Sequence, residues 1–317
     1  MVHRLNTAEA GFEERFAALL TLKREVSVDV NDQVAQIIAT VRADGDAALF
    51  AYTQKFDRFA LDAGTLAITA AEIEAAESSV PAAQLAALDL AAQRIADYHE
   101  KQRPEDLRYT DDRGITLGWR GTAVDAVGLY VPGGTASYPS SVLMNAIPAK
   151  VAGVERIVMV VPTPDNKLNP LVLAAARRAG ITEIYRIGGA QAVAALAYGT
   201  ASIAPVDKIV GPGNAYVAAA KRQVFGQVGI DSIAGPSEIL VIADSANAPA
   251  WIAADLLSQA EHDASSQSVL ITDDAAFADA VAAAVDVQLA ASPRRDIAAA
   301  AWTDNSAIVV VDTLAQA

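Results

Sequence analysis

The chain has 317 residues, 53% of them apolar, a formal net charge of −14 and no cysteine. That length suits about two domains, and the acidic balance argues against a nucleic-acid backbone as partner, which would select a basic stripe. Without cysteine there is no disulfide framework, no thiolate metal ligand and no thiol nucleophile, so any zinc must be held by nitrogen and oxygen.

The segment from Met1 to Glu9 lacks a basic region followed by an apolar core, so no secretory signal is read and a cytoplasmic location is expected. Residues 1–26 suggest a short arm with a helix around Thr7 to Leu22, too small to hold a core and therefore packed on something else. From Asn31 to about Phe56, and again from Ala70 to about Glu100, apolar residues recur at three and four, as in Val34, Ile37, Ile38 and Val41. Each stretch predicts a long helix. Between Glu105 and Trp119 the composition turns polar and strand-like, and a domain boundary is placed before residue 126.

From there strand and helix alternate. Ala126 to Val131, Ile157 to Val161, Glu183 to Ile187 and Lys208 to Val210 are short β-rich runs, with helices predicted over 142–151, 169–179 and 191–198. A second series follows: strands over 238–243, 268–272 and 307–311, with helices near 249–262 and 275–290. Alternation of this kind implies crossover units and parallel sheets. The predicted fold is therefore α/β, with two Rossmann-like parallel-sheet domains and an N-terminal helical arm. Two uncharged runs, 126–149 and 187–206, have the length of membrane spans, but glycines and prolines interrupt both, which suits buried turns and no membrane.

In doubly wound sheets ligands bind beyond the carboxyl ends of the strands. Three of those turns are glycine-rich: Tyr130-Val-Pro-Gly-Gly-Thr135, Gly188-Gly-Ala-Gln-Ala192 and Gly211-Pro-Gly-Asn-Ala-Tyr216. Each reads either as ordinary turn chemistry or as a phosphate cradle opening a helix. No acidic residue stands out for the ribose role. A further turn, Ala234-Gly-Pro-Ser-Glu238, offers Ser237 either as a substrate contact or as a turn cap. Asp255 to Asp263, read as helix, aims Gln259 along the stripe of Ile252 and Leu256 and sets His262 three residues on. The pair reads either as two donors for one metal ion or as side chains satisfied at a helix end. His262 is one of three histidines in the chain.

Taken together, Gly128-Leu-Tyr-Val-Pro-Gly-Gly134, Gly188-Gly-Ala-Gln-Ala192, Val210-Gly-Pro-Gly-Asn-Ala215, Ala234-Gly-Pro-Ser-Glu238 and Leu257-Ser-Gln-Ala-Glu-His262 resemble the histidinol dehydrogenase family, in the family's order. His99-Glu-Lys-Gln-Arg-Pro104 is compatible with it. The resemblance implies oxidation of the amino alcohol histidinol through the aldehyde to histidine, the last steps of histidine biosynthesis, with NAD and a zinc ion, by a homodimer. It implies that Tyr130, Gln191 and Asn214 contact NAD, that Ser237, Gln259 and His262 contact substrate, and that Gln259 and His262 bind zinc. It further implies that a 126–236 NAD-binding domain is inserted in a first domain made of 27–125 and 237–317.

The family's adjacent Glu-His acid/base pair and its two remaining zinc ligands would lie beyond Ala317, so no catalytic residue is assigned and residues 1–317 are expected to be inactive alone. Asp312 to Ala317 reads as the opening of a helix capped by Asp312 or Thr313. The competing readings are a non-catalytic nucleotide-binding module and an inactive fragment. With no thiolate for a thiohemiacetal, aldehyde oxidation is expected to run through a hydrate formed from water.

Overall fold

The computed structural model describes residues 2–21, 27–133, 138–233 and 237–317. Leu22, Gly134, Thr135 and the Ala234-Gly-Pro portion of the fourth motif lie outside the described residues. In chain order the first elements are β1 (His3–Asn6), α1 (Phe12–Thr21), α2 (Ser27–Asp44), α3 (Asp46–Asp57), α4 (Ala70–Ser78), α5 (Ala82–Glu100), β2 (Leu107–Thr110) and β3 (Thr116–Trp119). There follow β4 (Ala126–Tyr130), α6 (Pro139–Ala152), β5 (Arg156–Val160), α7 (Pro170–Ala179), β6 (Glu183–Tyr185), α8 (Gly189–Tyr198), β7 (Lys208–Val210), α9 (Ala215–Val224) and β8 (Gly229–Ile230). The last are β9 (Glu238–Ile242), α10 (Pro249–Ala260), β10 (Gln267–Thr272), α11 (Ala275–Ala291), α12 (Arg295–Asp304) and β11 (Ala307–Val310).

The chain divides into two compact units, residues 29–233 and residues 1–28 with 234–317, so one unit interrupts the other. Both are α/β with parallel sheets, as the alternation predicts. The helices of 29–125 group by packing with the sheet of residues 126–233, whereas the expected boundaries put them with 237–317.

In the 29–233 unit the sheet order is β6-β5-β4-β7-β8, all parallel. Every residue of β4 is buried, which is what a central parallel strand covered on both faces requires. Side chains alternate between two cores. Tyr130, Val158 and Ile209 face Val34, Ile38 and Val41 of α2, Leu49 of α3, and the alanine-rich α8 and α9. Leu129, Met159 and Ile184 face Ile73 of α4, Leu88 of α5, and α6 and α7. Helices predicted only by their period thus become the outer layers of a sandwich. The segment 66–68 also pairs with β6, through Ile68 N–H to Ile184 O at 2.9 Å and Arg186 N–H to Leu66 O at 3.0 Å.

The two long helices expected at 31–56 and 70–100 are each two helices. Gly45, with φ of 56°, separates α2 from α3, a left-handed backbone that glycine adopts without steric cost. Pro81 separates α4 from α5 because the residue before a proline is pushed out of the helical region. The strand-like stretch at 105–119 is the antiparallel hairpin β2–β3. Among the described residues no helix is long and apolar enough to cross a membrane.

In the other unit the order is β1-β11-β10-β9, again all parallel. Phe277, Val281, Leu256 and Trp302 pack α10, α11 and α12 on one face, and Phe12, Phe16 and Leu19 pack α1 on the other. The N-terminal arm does carry a helix, but His3–Asn6 forms an edge strand beside β11, where the sequence suggested nothing but helix and arm. His-Arg-Leu-Asn has no β-branched or aromatic residue, so its strand state comes from its neighbour and not from propensity. Helix α12 and strand β8 were also not anticipated. Residues 314–316 make a single 3-10 turn, and Thr313 flanks it without a side-chain cap, in place of the α-helical opening expected at 312–317.

Candidate functional site

The 29–233 sheet reverses direction of growth at β4. The chain builds β5 and β6 to one side, then crosses to β7 and β8 on the other. The carboxyl ends of β4 and β7 therefore flank a topological switch point, the place where open α/β sheets leave a crevice. A cavity of about 720 Å³ lies there, within the 300–1,000 Å³ range usual for ligand sites. Its walls come from the turns after β4 (Tyr130, Pro132, Gly133), β5 (Pro162, Pro164), β6 (Gly188 to Gln191) and β7 (Gly213, Asn214, Tyr216). The remaining wall is built by Gln33, Gln36 and Ile37 of α2 and by Tyr52, Lys55, Phe56 and Asp57 of α3. Tyr216 ties the two walls together, its hydroxyl donating to Gln33 Oε1 at 3.1 Å.

Three residues assigned to the cofactor from sequence, Tyr130, Gln191 and Asn214, all line this one cavity. Tyr130 is 4% exposed, and its hydroxyl accepts the Gly189 N–H at 2.9 Å. That bond caps one of the first-turn donors of α8, which a helix start leaves without an intrahelical partner. Burial pushes the phenol up to about 12, so it stays neutral around pH 7. Asn214 is the N-cap of α9: its Oδ1 accepts from Tyr216 N–H at 3.1 Å and Val217 N–H at 3.2 Å. The carboxamide NH₂ is thus the end left to meet a ligand. Gln191, in the first turn of α8, is 2% exposed and its Oε1 has no hydrogen-bond partner.

The β7 turn is held by a buried clamp. Lys221 of α9, 3% exposed, donates to Gly211 O at 3.0 Å and pairs with Asp231. Asp231 in turn accepts the Gly211 N–H at 2.8 Å. Gly211 has φ of 114°, and a Cβ there would lie 2.1 Å from Tyr130 O, so the β4 and β7 turns approach to a distance only glycine allows. Gly213 answers to a contact within its own helix start. A Cβ on it would meet Val217 at 2.4 Å, and its φ is ordinary. It makes room for the first turn of its own helix, not for left-handed backbone.

The cavity passes a physical test for a dinucleotide. Its polar lining includes two side-chain oxygens, Gln191 Oε1 and Asp57 Oδ2, that are buried without partners. Such atoms are rare because each costs about 1–3 kcal/mol, and ligand hydroxyls or amides would satisfy them. Three glycine-containing turns and the start of α8 offer close backbone approach for phosphates.

The other sequence-predicted residues lie in the second unit. Helix α10 ends at Ala260, with Glu261 N–H bonded to Leu257 O at 2.9 Å and His262 N–H to Gln259 O at 3.1 Å. The helix expected through Asp263 therefore stops before His262, which is exposed in the turn that follows. Gln259 is half-buried beside the stripe of Ile252 and Leu256, and its Nε2 donates to Ser266 Oγ at 3.4 Å, leaving Oε1 as a donor for a metal. Ser237 precedes β9 and accepts Gln267 N–H on its carbonyl at 3.1 Å. Gln259, His262 and Ser237 gather at the amino ends of β9 and β10, whereas the cavity of the first unit lies at the carboxyl ends of its strands. Arg294 to His262 O at 3.4 Å and Asn305 to Ala264 O at 2.8 Å pin the loop between α10 and β10.

Gln259 and His262 are donors of the right chemistry for zinc, but two do not close a sphere that commonly takes three or four protein ligands. Among the described residues no group of three or more His, Asp or Glu stands ready to hold a metal. The zinc donor set is thus partial, and no chemical step is derived through the metal.

The histidinol dehydrogenase family model matches residues 21–317. The chain is 63% identical over 314 residues to histidinol dehydrogenase of Mesorhizobium japonicum, covering 99% of this chain and 73% of that protein. It is 64% identical over 313 residues to the enzyme of Agrobacterium fabrum, covering 99% and 72%. The crystal structure of histidinol dehydrogenase from Elizabethkingia anophelis superposes with a TM-score of 0.87 at 35% identity, over 99% of this chain and 72% of that one. Sequence match, identity and superposition agree over nearly the whole of residues 1–317, and the chain belongs to the histidinol dehydrogenase family of oxidoreductases.

Proposed function

We propose that this chain is the NAD-binding and substrate-contacting part of an enzyme that oxidises L-histidinol through the aldehyde to L-histidine, the last steps of histidine biosynthesis. The observation that carries the cofactor assignment is the switch-point cavity, where Tyr130, Gln191 and Asn214 converge on one void. The substrate assignment is supported by the family and by relatives that bear the name histidinol dehydrogenase.

In this reading NAD, when bound, supplies the hydride acceptor. The chain's own residues orient it. Asn214 presents its carboxamide NH₂ while its oxygen fixes α9. Gln191 offers an unpartnered oxygen from a buried helix start. Tyr130, neutral and already accepting from Gly189, keeps its own O–H to donate. Ser237, Gln259 and His262 contact histidinol, and Gln259 and His262 also contribute two ligands to zinc. A water-derived hydrate carries the second oxidation in this reading, and residues 1–317 offer no thiolate for a thiohemiacetal. The enzyme is a cytoplasmic homodimer. Self-association is supported by the β2–β3 hairpin, whose Leu107, Tyr109, Leu117 and Trp119 are 40–59% exposed.

Residues 1–317 bring a partial zinc set and no positioned general base, a loss on the order of 10²- to 10⁴-fold in rate. On this reading they bind NAD without useful turnover. The test is calorimetric titration of NAD together with NADH absorbance in the presence of histidinol and zinc. It is run on residues 1–317 and on a version extended to the length of the relatives. NAD binding by both with turnover by the extended version alone is expected. Absence of NAD binding overturns the proposal, and equal turnover by both overturns its account of the missing base. Binding without turnover in either form favours a nucleotide-binding module.

A further inference from the structure

We propose that Asp57 accepts the 2′-hydroxyl of the adenosine ribose and thereby sets the preference of the cavity for NAD over its 2′-phosphorylated form. The inference rests on the reading of the cavity as a dinucleotide site. In doubly wound folds the ribose is commonly held by an acidic residue about 20 positions beyond the glycine-rich turn, on the same βαβ unit. Among the described residues of 126–233 no acidic side chain lines the cavity. The acidic side chain on its wall comes from elsewhere: Asp57, the last residue of α3.

The state of Asp57 is unusual. The side chain is 8% exposed, and its Oδ2 is closed to solvent with no hydrogen-bond partner. Other carboxylates of this unit that point inward are paired: Asp231 with Lys221, Glu183 with Arg156, and Asp46 with the Ser202 hydroxyl. Burial raises the Asp57 carboxyl above the ordinary range, against the pull of Arg58 and of the Thr163 N–H. A carboxyl held at that cost beside a cavity is what a site built to receive a hydroxyl proton requires. Its terminal torsion is broad and soft, so the unpartnered oxygen can turn toward a hydroxyl in the void.

Two features fix Asp57 in place. Arg58 adopts a left-handed backbone, φ 56°, and its guanidinium forms a bidentate pair with Asp165 at 2.8 and 2.7 Å. Asp165, itself at φ 54°, belongs to the loop after β5. This clasp holds the end of α3 against the carboxyl edge of the sheet and commits the neighbouring cation to Asp165. Lys55, over the Phe56 ring at 5.2 Å, is the cation on the cavity wall. It does not pair with Asp57 and remains available to the pyrophosphate. A hydroxyl donates to Asp57 without conflict, whereas a 2′-phosphate sets two like charges against each other.

The test uses residues 1–317 and three nucleotides: NAD, NADP and the NAD analogue lacking the adenosine 2′-hydroxyl. In the unmodified chain the deoxy analogue is expected to bind roughly 10- to 100-fold more weakly than NAD, the range for a hydrogen bond to a charged group. Asp57→Asn and Asp57→Ser are expected to reduce that difference and to shift the NAD-to-NADP preference toward NADP by a similar factor. Thermal unfolding confirms that each variant is folded. Equal binding of NAD and its deoxy analogue by the unmodified chain overturns the inference while the cavity reading stands. So does an unchanged NAD-to-NADP ratio in a folded variant. Failure of the unmodified chain to bind any of the three overturns the cavity reading itself.

Discussion

The two units use the same architecture to opposite ends. In the 29–233 unit the predicted ligand residues sit at the carboxyl edge of a parallel sheet around one cavity, Tyr130 and Gln191 buried and Asn214 exposed at its mouth. In the other unit the predicted ligand residues sit at the amino edge of β9 and β10, with His262 and Ser237 exposed. The first is pre-organised: caps, a buried ion pair and close glycine contacts hold each group before a ligand arrives. The second presents donors at a helix end that must be completed by other groups. Residues that hold a fold as well as a ligand should be expensive to change, and residues that only face outward should not.

The largest effect is expected at the Lys221–Asp231 clamp. Asp231→Ala leaves the ammonium of Lys221, 3% exposed, without its counter-charge and should lower stability by about 3 kcal/mol or more. NAD affinity should fall with it, because the Gly211 N–H loses its acceptor and Lys221, which holds the Gly211 carbonyl, loses the partner that positions it. A denaturant midpoint within experimental error of the unmodified chain would mean that the clamp does not organise the β7 turn.

Next is Tyr130→Phe, which removes the acceptor of the Gly189 N–H. An orphaned, partly buried helix donor costs about 1–2 kcal/mol, and NAD binding should weaken along with stability. If affinity falls and stability does not, the hydroxyl serves the ligand alone and the pre-organised picture of this site is too strong.

Asp57 gives a pH-dependent difference. A carboxyl whose folded pKa is raised stabilises the fold below its unfolded value, and that contribution is lost as pH rises through the folded value. Asp57→Asn escapes the loss. The variant should therefore be more stable than the unmodified chain at neutral pH, with the gap closing toward and below about pH 4. Urea unfolding across that range reads the sign directly, and a variant less stable at pH 7 contradicts the assignment of an unpaired buried carboxyl.

The smallest effect on the fold belongs to the second unit. Gln259→Ala and His262→Ala should each change stability by no more than about 0.5 kcal/mol, yet weaken zinc retention in competition with a chelator. Equal zinc retention in His262→Ala and the unmodified chain removes His262 from the ligand set.

Much of this was legible in the sequence, for physical reasons that can be named. The β4, β5 and β7 runs announced themselves because a strand buried on both faces must be continuously apolar, and the glycine turns because they are needed where β4 and β7 nearly touch. Tyr130, Gln191 and Asn214, which the family resemblance singles out, ride on those turns and line one cavity. Asp57 was not legible. It closes a helix whose period is unbroken, 69 residues before β4 begins, and only tertiary packing, α3 on α8 and the Arg58–Asp165 clasp, brings it to the cavity. The helix breaks at Gly45 and Pro81 were visible and outweighed by a strong period, whereas β1 had no local signal at all. At Gly213 the neighbour that demands glycine is four residues ahead on the next helix turn, a contact that no local pattern announces.

The most direct measurement is a crystal structure of residues 1–317 soaked with NAD. The account predicts dinucleotide density in the switch-point cavity, with Tyr130, Gln191 and Asn214 against it and the adenosine ribose at Asp57. Dinucleotide density confined to any other surface, with that cavity left empty at saturating NAD, would contradict it.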